Sequence, residues 1–207
     1  MVLSLVAAAA LAAQCAPNVA PSTLLSIVQV ESGFDPLAIG VNRPVPARLH
    51  PSGPAEAAAM AARLIAGGAD IDLGIAQINW RNLGWLGLSA QSAFDPCQNL
   101  AAAAHVLADG YDRGRRTTSD PQSALKIALS YYNTGGAHRG FTNGYVAKVA
   151  AAAGQVAPAL LSAGQPAPRQ PAIGRPGPRA PAWDVFAATS ASGGGFVLNP
   201  SPIGDDH

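Results

Sequence analysis

Residues 21–33 form the segment PSTLLSIVQVESG, in which an apolar run leads to a single carboxylate, Glu31, and then to a glycine. The pattern predicts a helix that ends near Glu31, and the apolar residues three, four and seven positions before it share its face: Val28, Ile27 and Leu24. A carboxyl group at the end of an apolar face is partly desolvated, which raises its pKa. Such a group can act as a general acid, and the alternative is a helix-end glutamate that faces solvent.

The composition excludes several classes of function. The chain has 207 residues and a formal net charge of +1, and only 12% of the residues are charged, so the sequence lacks the basic signature of nucleic-acid binding. The four histidines are scattered, and no cysteine lies near them at the spacing of a metal site. We therefore expect no metal and no other cofactor.

The two cysteines, Cys15 and Cys97, are 82 positions apart. If they are paired, the disulfide closes a long loop and stabilises the fold by about 4–5 kcal/mol on the loop-entropy model. Pairing would require an oxidising compartment such as the periplasm. Two buried free thiols are the alternative, and the spacing alone does not decide between them.

Residues 2–13 are apolar and allow two interpretations. They could be the hydrophobic part of a secretory signal peptide, and Ala8-Ala9-Ala10 is compatible with a cleavage site. Against this, no lysine or arginine precedes the run, and it continues without a break into Cys15. We favour the first helix of a domain.

The rest of the N-terminal part predicts a mainly helical domain with one small β element. A polar, proline-rich stretch at 35–53 predicts a loop, and the weak alternation of 70–79 predicts a strand or hairpin. Asp95-Pro96 and Asp120-Pro121 each place an N-cap before a proline at the first helical position. The helices predicted after the loop are 55–66, 96–111, 121–132 and 143–153.

The composition changes towards the C-terminus. Nine of the 18 prolines lie within 158–202, and such a segment buries too little apolar surface to offset the entropy cost of ordering it. We therefore predict a domain at 1–155 and a disordered, Pro/Gly-rich tail at 156–207. Trp183-Asp184-Val185-Phe186 is an apolar island in this tail, either a docking motif for a partner or a chance cluster.

Four short blocks occur in order along the predicted domain. They are Glu31-Ser32-Gly33-Phe34, Gly74-Ile75-Ala76-Gln77-Ile78-Asn79, Ser130-Tyr131-Tyr132-Asn133-Thr134-Gly135 and Gly144-Tyr145-Val146. In this order and at these separations they closely resemble the four motifs of lysozyme-like lytic transglycosylases. Three more segments resemble the VirB-type transglycosylases of type IV secretion systems: residues 15–24, Phe94-Asp95-Pro96-Cys97 and residues 140–146.

The resemblance covers residues 11–155 and implies a lysozyme-like fold. Both cysteines lie in matching blocks, so it also implies a Cys15–Cys97 disulfide, and it favours residues 2–13 as part of the first helix. The implied function is a periplasmic peptidoglycan lytic transglycosylase that opens murein locally for a secretion or conjugation apparatus. The implied partners are peptidoglycan glycan strands and, through the tail, subunits of the secretion system.

The chemistry of glycoside cleavage fits a single acid here. Cleaving a β-1,4 bond needs an acid, and most hydrolases also need a second carboxylate as base or nucleophile. Asp70 and Asp72 flank the β element without the apolar setting of Glu31. The resemblance implies that Glu31 acts twice. It protonates the oxygen between N-acetylmuramic acid and N-acetylglucosamine, and as carboxylate it then deprotonates the C6 hydroxyl that closes a 1,6-anhydro ring.

The same motifs imply residues that bind the substrate or support the acid: Ser32, Gln77, Asn79, Tyr132, Asn133 and Tyr145. We expect Gly74 to let the backbone approach a sugar closely. Gln77 and Asn79, two positions apart on a strand, are expected to point to one face and bind acetamido or hydroxyl groups. Tyr132 is expected to hold the catalytic glutamate or the substrate.

Structural roles are the alternatives for several of these residues. Ser32 and Asn133 could cap helices, and a purely structural role for Tyr145 is equally compatible with the sequence. Tyr131 is predicted to lie in the core. Trp80 and Trp85 flank the second block and could stack on sugar rings, but we favour core packing for both.

Two other functions stay open at this point. A lysozyme-type muramidase would have the same fold and acid and would use a water activated by Asp72 or an equivalent group. A non-enzymatic assembly factor would bind peptidoglycan and recruit secretion subunits through residues 156–207. We predict no binding of nucleic acid and no stable insertion into a membrane.

Overall fold

A computed structural model describes residues 2–163 of the chain. The described residues form a mainly helical domain with a small antiparallel sheet, as predicted. The helices are α1 (Leu5–Cys15), α2 (Pro21–Glu31), α3 (Pro54–Ala66), α4 (Pro96–Arg115), α5 (Pro121–Thr134), α6 (Arg139–Thr142) and α7 (Tyr145–Ala163), and the strands are β1 (Ile39–Arg43), β2 (Ala47–Leu49), β3 (Asp70–Leu73) and β4 (Ile78–Asn79).

Helix boundaries follow local signals at the N-termini better than at the C-termini. The carboxylates of Asp95 and Asp120 accept hydrogen bonds from backbone N–H groups in the first turns of α4 and α5, which confirms both predicted caps. Helix α7 continues to Ala163, beyond the predicted end at residue 153, because Val156 and Ala157 are still buried. Apart from this end of α7, the predicted tail with its apolar island at 183–186 lies outside the described residues.

The sheet contains a hairpin that the sequence did not predict. Its strand order is β2-β1-β3-β4, and all pairs are antiparallel. The prediction of a loop at 35–53 is therefore wrong, since β1 and β2 lie within it. Pro44 and Pro46 lie in the connection of the hairpin, while Pro36 and Pro51 lie before β1 and after β2, so no proline interrupts either strand. Ile39 and Val41 alternate into the core.

Helix α2 lies in the core of the domain. Leu24, Leu25, Ile27 and Val28 have no exposed surface, and the helix packs mainly against α7 and then α1. Burying side chains of this size stabilises by about 1.5–3 kcal/mol each, before the entropy cost of ordering them. Because Glu31 is the last residue of α2, its backbone is held by this core.

Helix α1 is part of the same core. Ala8 and Ala12 are fully buried, so the predicted first helix of the domain is confirmed. A disulfide joins Cys15 at the end of α1 to Cys97 in the first turn of α4, and it confirms the pairing that the resemblance implied. The cross-link reduces the conformational entropy of the unfolded chain and so stabilises the folded state.

One helix among residues 2–163, α7, is long and apolar enough to cross a membrane by length and composition alone. Core helices of globular domains pass the same test. Val149, Ala153 and Val156 of α7 are buried, and its principal neighbour is α2. The absence of stable membrane insertion stays a prediction.

Candidate active site

A cleft of about 450 Å³ opens between the sheet and the C-terminal end of α5, and Glu31 lies in its wall. The sheet and its turns contribute polar side chains, while α4 and α5 form the opposite side. Residues of the sheet side include Asn42, Asp70, Asp72, Gln77 and Asn79, and those of the helical side include Val106, Tyr131, Tyr132 and Asn133.

Glu31 combines a buried setting with access to the cleft. Burial raises its pKa from 4.5 to about 7. The hydrogen bond from Tyr145 lowers this pKa, the negative charge of Asp72 raises it, and the positive charge of Arg48 lowers it. At neutral pH the carboxyl group is therefore present in both its acid and its base form. Such a group can donate a proton and later accept one.

The hydrogen bond to Glu31 comes from the start of α7. The Tyr145 hydroxyl donates to Glu31 Oε1 over 2.5 Å. The Tyr132 hydroxyl instead donates to the carbonyl of Ala76 over 2.7 Å, so Tyr132 holds the turn before β4 and not the glutamate. Burial raises the pKa of both tyrosines well above the usual value, so both hydroxyls stay protonated. Tyr131 is only half-buried and lines the cleft, which corrects its predicted place in the core.

Gln77 does not lie on a strand as expected. It occupies the turn between β3 and β4 with a φ of +53°, and its buried Nε2 donates to the carbonyls of Gly74 and Ala38 over 2.9 and 3.0 Å. The left-handed backbone moves Gln77 out of the strand pattern that its spacing to Asn79 suggested. The two anchoring bonds nevertheless hold the side chain in the wall of the cleft.

Packing against Ala93 and against Asn99 of α4 requires a glycine at position 74. Its φ is +78°, and a Cβ atom there would lie 2.3 Å from the carbonyl oxygen of Ala93 and 2.4 Å from Nδ2 of Asn99. No larger residue fits this position without displacing the backbone. This packing shapes the turn that carries Gln77, and the expected approach of a sugar to Gly74 stays a prediction.

Asn79 connects the two aspartates of β3. Its Nδ2 donates to Oδ1 of Asp70 over 2.9 Å and to Oδ1 of Asp72 over 2.8 Å, so both amide hydrogens are used. The bond from Asn79 and the guanidinium groups of Arg43 and Arg81 lower the pKa of Asp70. Burial raises the pKa of Asp72, although Asn42 and Asn79 both donate to its carboxylate.

Ser32 and Asn133 have different surroundings. The buried Ser32 hydroxyl donates to the carbonyl of Ile75 over 2.6 Å and accepts from the N–H of Asp35, so it ties the end of α2 to the β3–β4 turn and does not line the cleft. Asn133 is exposed at the cleft and accepts a hydrogen bond from Asn143. The C-cap of α5 is Gly135, with a φ of +66°.

The tryptophans that flank β4 lie outside the lining of the cleft. Trp80 packs against the core, as we favoured, with the guanidinium of Arg81 over its ring at 4.9 Å. Trp85 is 58% exposed, so its predicted place in the core is wrong. No group of three or more potential metal ligands occurs among residues 2–163.

Sequence reasoning missed three polar residues that shape the site. Asn42 binds Asp72, Arg48 acts on Glu31 through its charge, and Asn99 holds the β3–β4 turn from the start of α4. The one signal that the sequence offered for Asn99 is its place among the apolar residues of α4, and the structure shows that it is fully buried. Asn42 and Arg48 lie in the segment mistaken for a loop.

Residues 8–153 match the sequence profile described as "Transglycosylase SLT domain". The chain belongs to this family. The structure agrees with this family, since an acidic residue ends a buried helix beside a small sheet. The fold is the lysozyme-like fold that the resemblance implied.

Curated proteins resemble this SLT-domain chain over most of its length. "Protein virB1" of Agrobacterium fabrum is 45% identical over 144 residues, which cover 70% of this chain and 58% of that protein. "Type IV secretion system protein virB1" of Brucella abortus is 45% identical over 151 residues, with coverage of 69% and 62%. The chain thus spans about three-fifths of the length of these relatives. No solved structure matches it.

Proposed function

We propose that this chain is a peptidoglycan lytic transglycosylase in which Glu31 is the sole acid and base. The observation that carries the proposal is the position of Glu31 in the cleft, with a pKa raised to about 7 and a bond from Tyr145. Membership of the SLT-domain family supports peptidoglycan as the substrate.

The first step cleaves the β-1,4 bond between N-acetylmuramic acid and N-acetylglucosamine. Protonated Glu31 gives its proton to the bridging oxygen, and the C1–O4 bond breaks as the N-acetylglucosamine leaves. Burial of Glu31 favours the protonated form that this step needs. The N-acetyl group of the muramoyl residue stabilises the positive charge that develops at C1.

The second step closes the 1,6-anhydro ring. The Glu31 carboxylate takes the proton of the C6 hydroxyl, and the C1–O6 bond forms, so no water is consumed and the acid is regenerated. The Tyr145 hydroxyl donates to Oε1 and stabilises the carboxylate between the two steps. A second ionised carboxylate is not needed in this sequence of steps.

The polar side chains in and beside the cleft divide into two proposed roles. Gln77, Tyr132 and Asn133 line the cleft and are proposed to contact the sugars. The Nε2 of Gln77 is anchored by two carbonyls, which leaves its Oε1 as an acceptor for an acetamido N–H. Asn79 and Ser32 use their hydrogen-bonding groups within the protein, and we propose that they hold the site in shape.

A lysozyme-type hydrolase is the second candidate. Asp72 lines the same cleft, and its charge acts on Glu31. A water activated by Asp72 would then replace the C6 hydroxyl as the nucleophile and give a reducing muramoyl end. We favour the transglycosylase because both oxygens of Asp72 already accept amide hydrogens, from Asn42 and Asn79.

We further propose that the chain acts in the periplasm and opens peptidoglycan for a type IV secretion or conjugation apparatus. The proposal is supported by the printed name of the Brucella relative and by the disulfide between Cys15 and Cys97. An assembly role through residues 156–207 is compatible with cleavage by the domain. It stays a proposal, since 164–207 lie outside the described residues.

Product analysis of digested sacculi tests the proposed reaction. Wild type, Glu31→Gln and Glu56→Gln are compared, because Glu56 is an exposed carboxylate on α3 and serves as the matched control. We expect 1,6-anhydromuropeptides from wild type and from the control, and a rate about 10²–10⁴-fold lower from Glu31→Gln. Mass spectrometry identifies the products. Reducing muramoyl ends would favour the hydrolase, and equal yields from all three proteins would contradict catalysis by Glu31.

A further inference from the structure

A row of residues crosses the sheet on the side of the cleft. Arg48 on β2 is paired with Gly40 on β1, Gly40 with Asp72 on β3, and Asp72 with Asn79 on β4. Directly opposed residues of antiparallel strands place their side chains on the same face of the sheet. Since Asp72 and Asn79 line the cleft, Arg48 lies on the cleft-facing side at the outer edge.

Arg48 differs from the other two arginines of this region. Arg43 and Arg81 both form ion pairs with Asp70. Among residues 2–163, the exposed Arg48 guanidinium has neither an ion pair nor a hydrogen bond. The two aspartates of the cleft are bound by other groups, so the chain itself offers Arg48 no carboxylate there.

The charge of Arg48 nevertheless reaches the site of catalysis. It is the cation whose field lowers the pKa of Glu31. No side chain projects from Gly40 between Arg48 and Asp72, and a Cβ there would lie 2.6 Å from Oε1 of Gln77. The absence of a side chain at Gly40 makes room for the Gln77 amide over the middle of the row. Because Gln77 lines the cleft, a glycan that contacts Gln77 can present its substituents to Arg48.

We propose that Arg48 is a specificity-determining residue that binds a carboxylate of the glycan strand. This inference rests on the proposed function, since muramoyl residues bear the acidic groups of the substrate. The carboxylate belongs either to the peptide stem or, on a peptide-free strand, to the lactyl group. A guanidinium forms a bidentate pair with such a group, which an amide cannot replace.

Three soluble substrates test the inference: peptide-bearing glycan chains, the same chains with their carboxylates amidated by carbodiimide and ammonia, and chains freed of peptide by an amidase. We expect wild type to lose about tenfold in kcat/KM on amidation, mainly through KM, because one charge-assisted bond is lost. Arg48→Gln should cleave the free and the amidated chains equally well, and Arg48→Lys should keep part of the preference.

Arg43→Gln is the matched variant, because it removes the same charge from the same hairpin but from an arginine already paired with Asp70. It should keep the preference for free carboxylates. An equal loss of preference in Arg43→Gln and Arg48→Gln, or a preference that survives in Arg48→Gln, would overturn the inference. Inactivity of wild type on every substrate would instead contradict the proposed function. If wild type cleaves the peptide-free chains, the lactyl group is the source of the carboxylate. If wild type loses cleavage on these chains, the peptide stem is the source.

A pH profile supplies a readout that general damage to the hairpin would not give. The groups that act on Glu31 are Asp72 from β3, Tyr145 from α7 and Arg48 from β2, with the neutral Tyr132 from α5 close by. Removing the Arg48 charge should raise the pKa of Glu31 and move the alkaline limb of kcat/KM to higher pH. An unchanged limb would place Arg48 too far from the acid for the proposed contact.

Discussion

Glu31 and Tyr145 form the contact on which the proposed chemistry depends. The residues are 114 positions apart, and the hydroxyl donates to Oε1 over 2.5 Å. Burial raises the pKa of the carboxyl, and this hydrogen bond opposes it with the smaller effect, so the resulting value is about 7. The protonated acid that starts the reaction is therefore lost as the pH rises through this value.

Tyr145→Phe tests this balance at the scale of a single residue. Without the hydroxyl, the carboxylate form of Glu31 loses a donor, so its pKa should rise. We expect the alkaline limb of kcat/KM to move to higher pH and kcat to fall, since the carboxylate that closes the anhydro ring is less stable. Tyr111→Phe, which removes a hydroxyl outside the cleft, should keep the wild-type profile. A limb that moves to lower pH would contradict this account.

At the scale of elements, the β3–β4 turn is fixed to α4 by one buried side chain. Asn99 Nδ2 donates to the carbonyls of Leu73 and Ala93 over 2.9 and 2.7 Å, and its Oδ1 accepts from the N–H of Ala76 over 2.9 Å. Tyr132 binds the carbonyl of Ala76 from the other side. The turn that carries Gln77 is thus held by α4 and α5 together.

Asn99→Ala tests this arrangement. The substitution leaves three buried backbone groups without partners, so we expect the free energy of unfolding to fall by about 3 kcal/mol and cleavage to fall with it. Urea unfolding measures the first effect. Gln98→Ala, at the exposed neighbouring position of α4, should change stability by less than about 0.5 kcal/mol. Equal stabilities of the two variants would contradict the role given to Asn99.

At the scale of the whole molecule, helix α7 connects the site to the boundary of the domain. It begins at Tyr145, the partner of Glu31, and runs to Ala163. Val156 and Ala157 are buried near its end, although the sequence suggested a boundary before them. The domain boundaries 1–155 and 156–207 stay a prediction, and a truncation that keeps α7 whole is the better test of them.

Two truncations test where the catalytic domain ends. A chain that ends after Ala163 keeps α7 complete, so it should cleave sacculi within about twofold of the full chain and unfold at the same urea concentration. A chain that ends after Gln155 loses buried Val156 and Ala157 and should be less stable by about 1–3 kcal/mol. Loss of cleavage in the first truncation would contradict a catalytic domain complete by Ala163. Pull-down of secretion subunits by the full chain alone would place partner binding in 164–207.

The amino-acid sequence by itself determined the helix of residues 21–31 with Glu31 at its end, the capped starts of α4 and α5 and the mainly helical class. These features follow from side-chain periodicity and from capping within one turn, which are properties of neighbouring residues. The ordered blocks also singled out Tyr145, which bonds Glu31, and Gln77, which lines the cleft, though not what each of them contacts.

Only the tertiary structure decided those contacts. Tyr145 binds Glu31, whereas Tyr132 binds Ala76, 56 positions away. Both contacts depend on how α5 and α7 pack around α2. The position of Arg48 opposite Gly40 depends on the register of β1 and β2, which the prolines of this segment had led us to predict as a loop. Local patterns set which face a residue occupies, but the distance between remote side chains is set by packing, and the pKa of Glu31 depends on that distance and on burial.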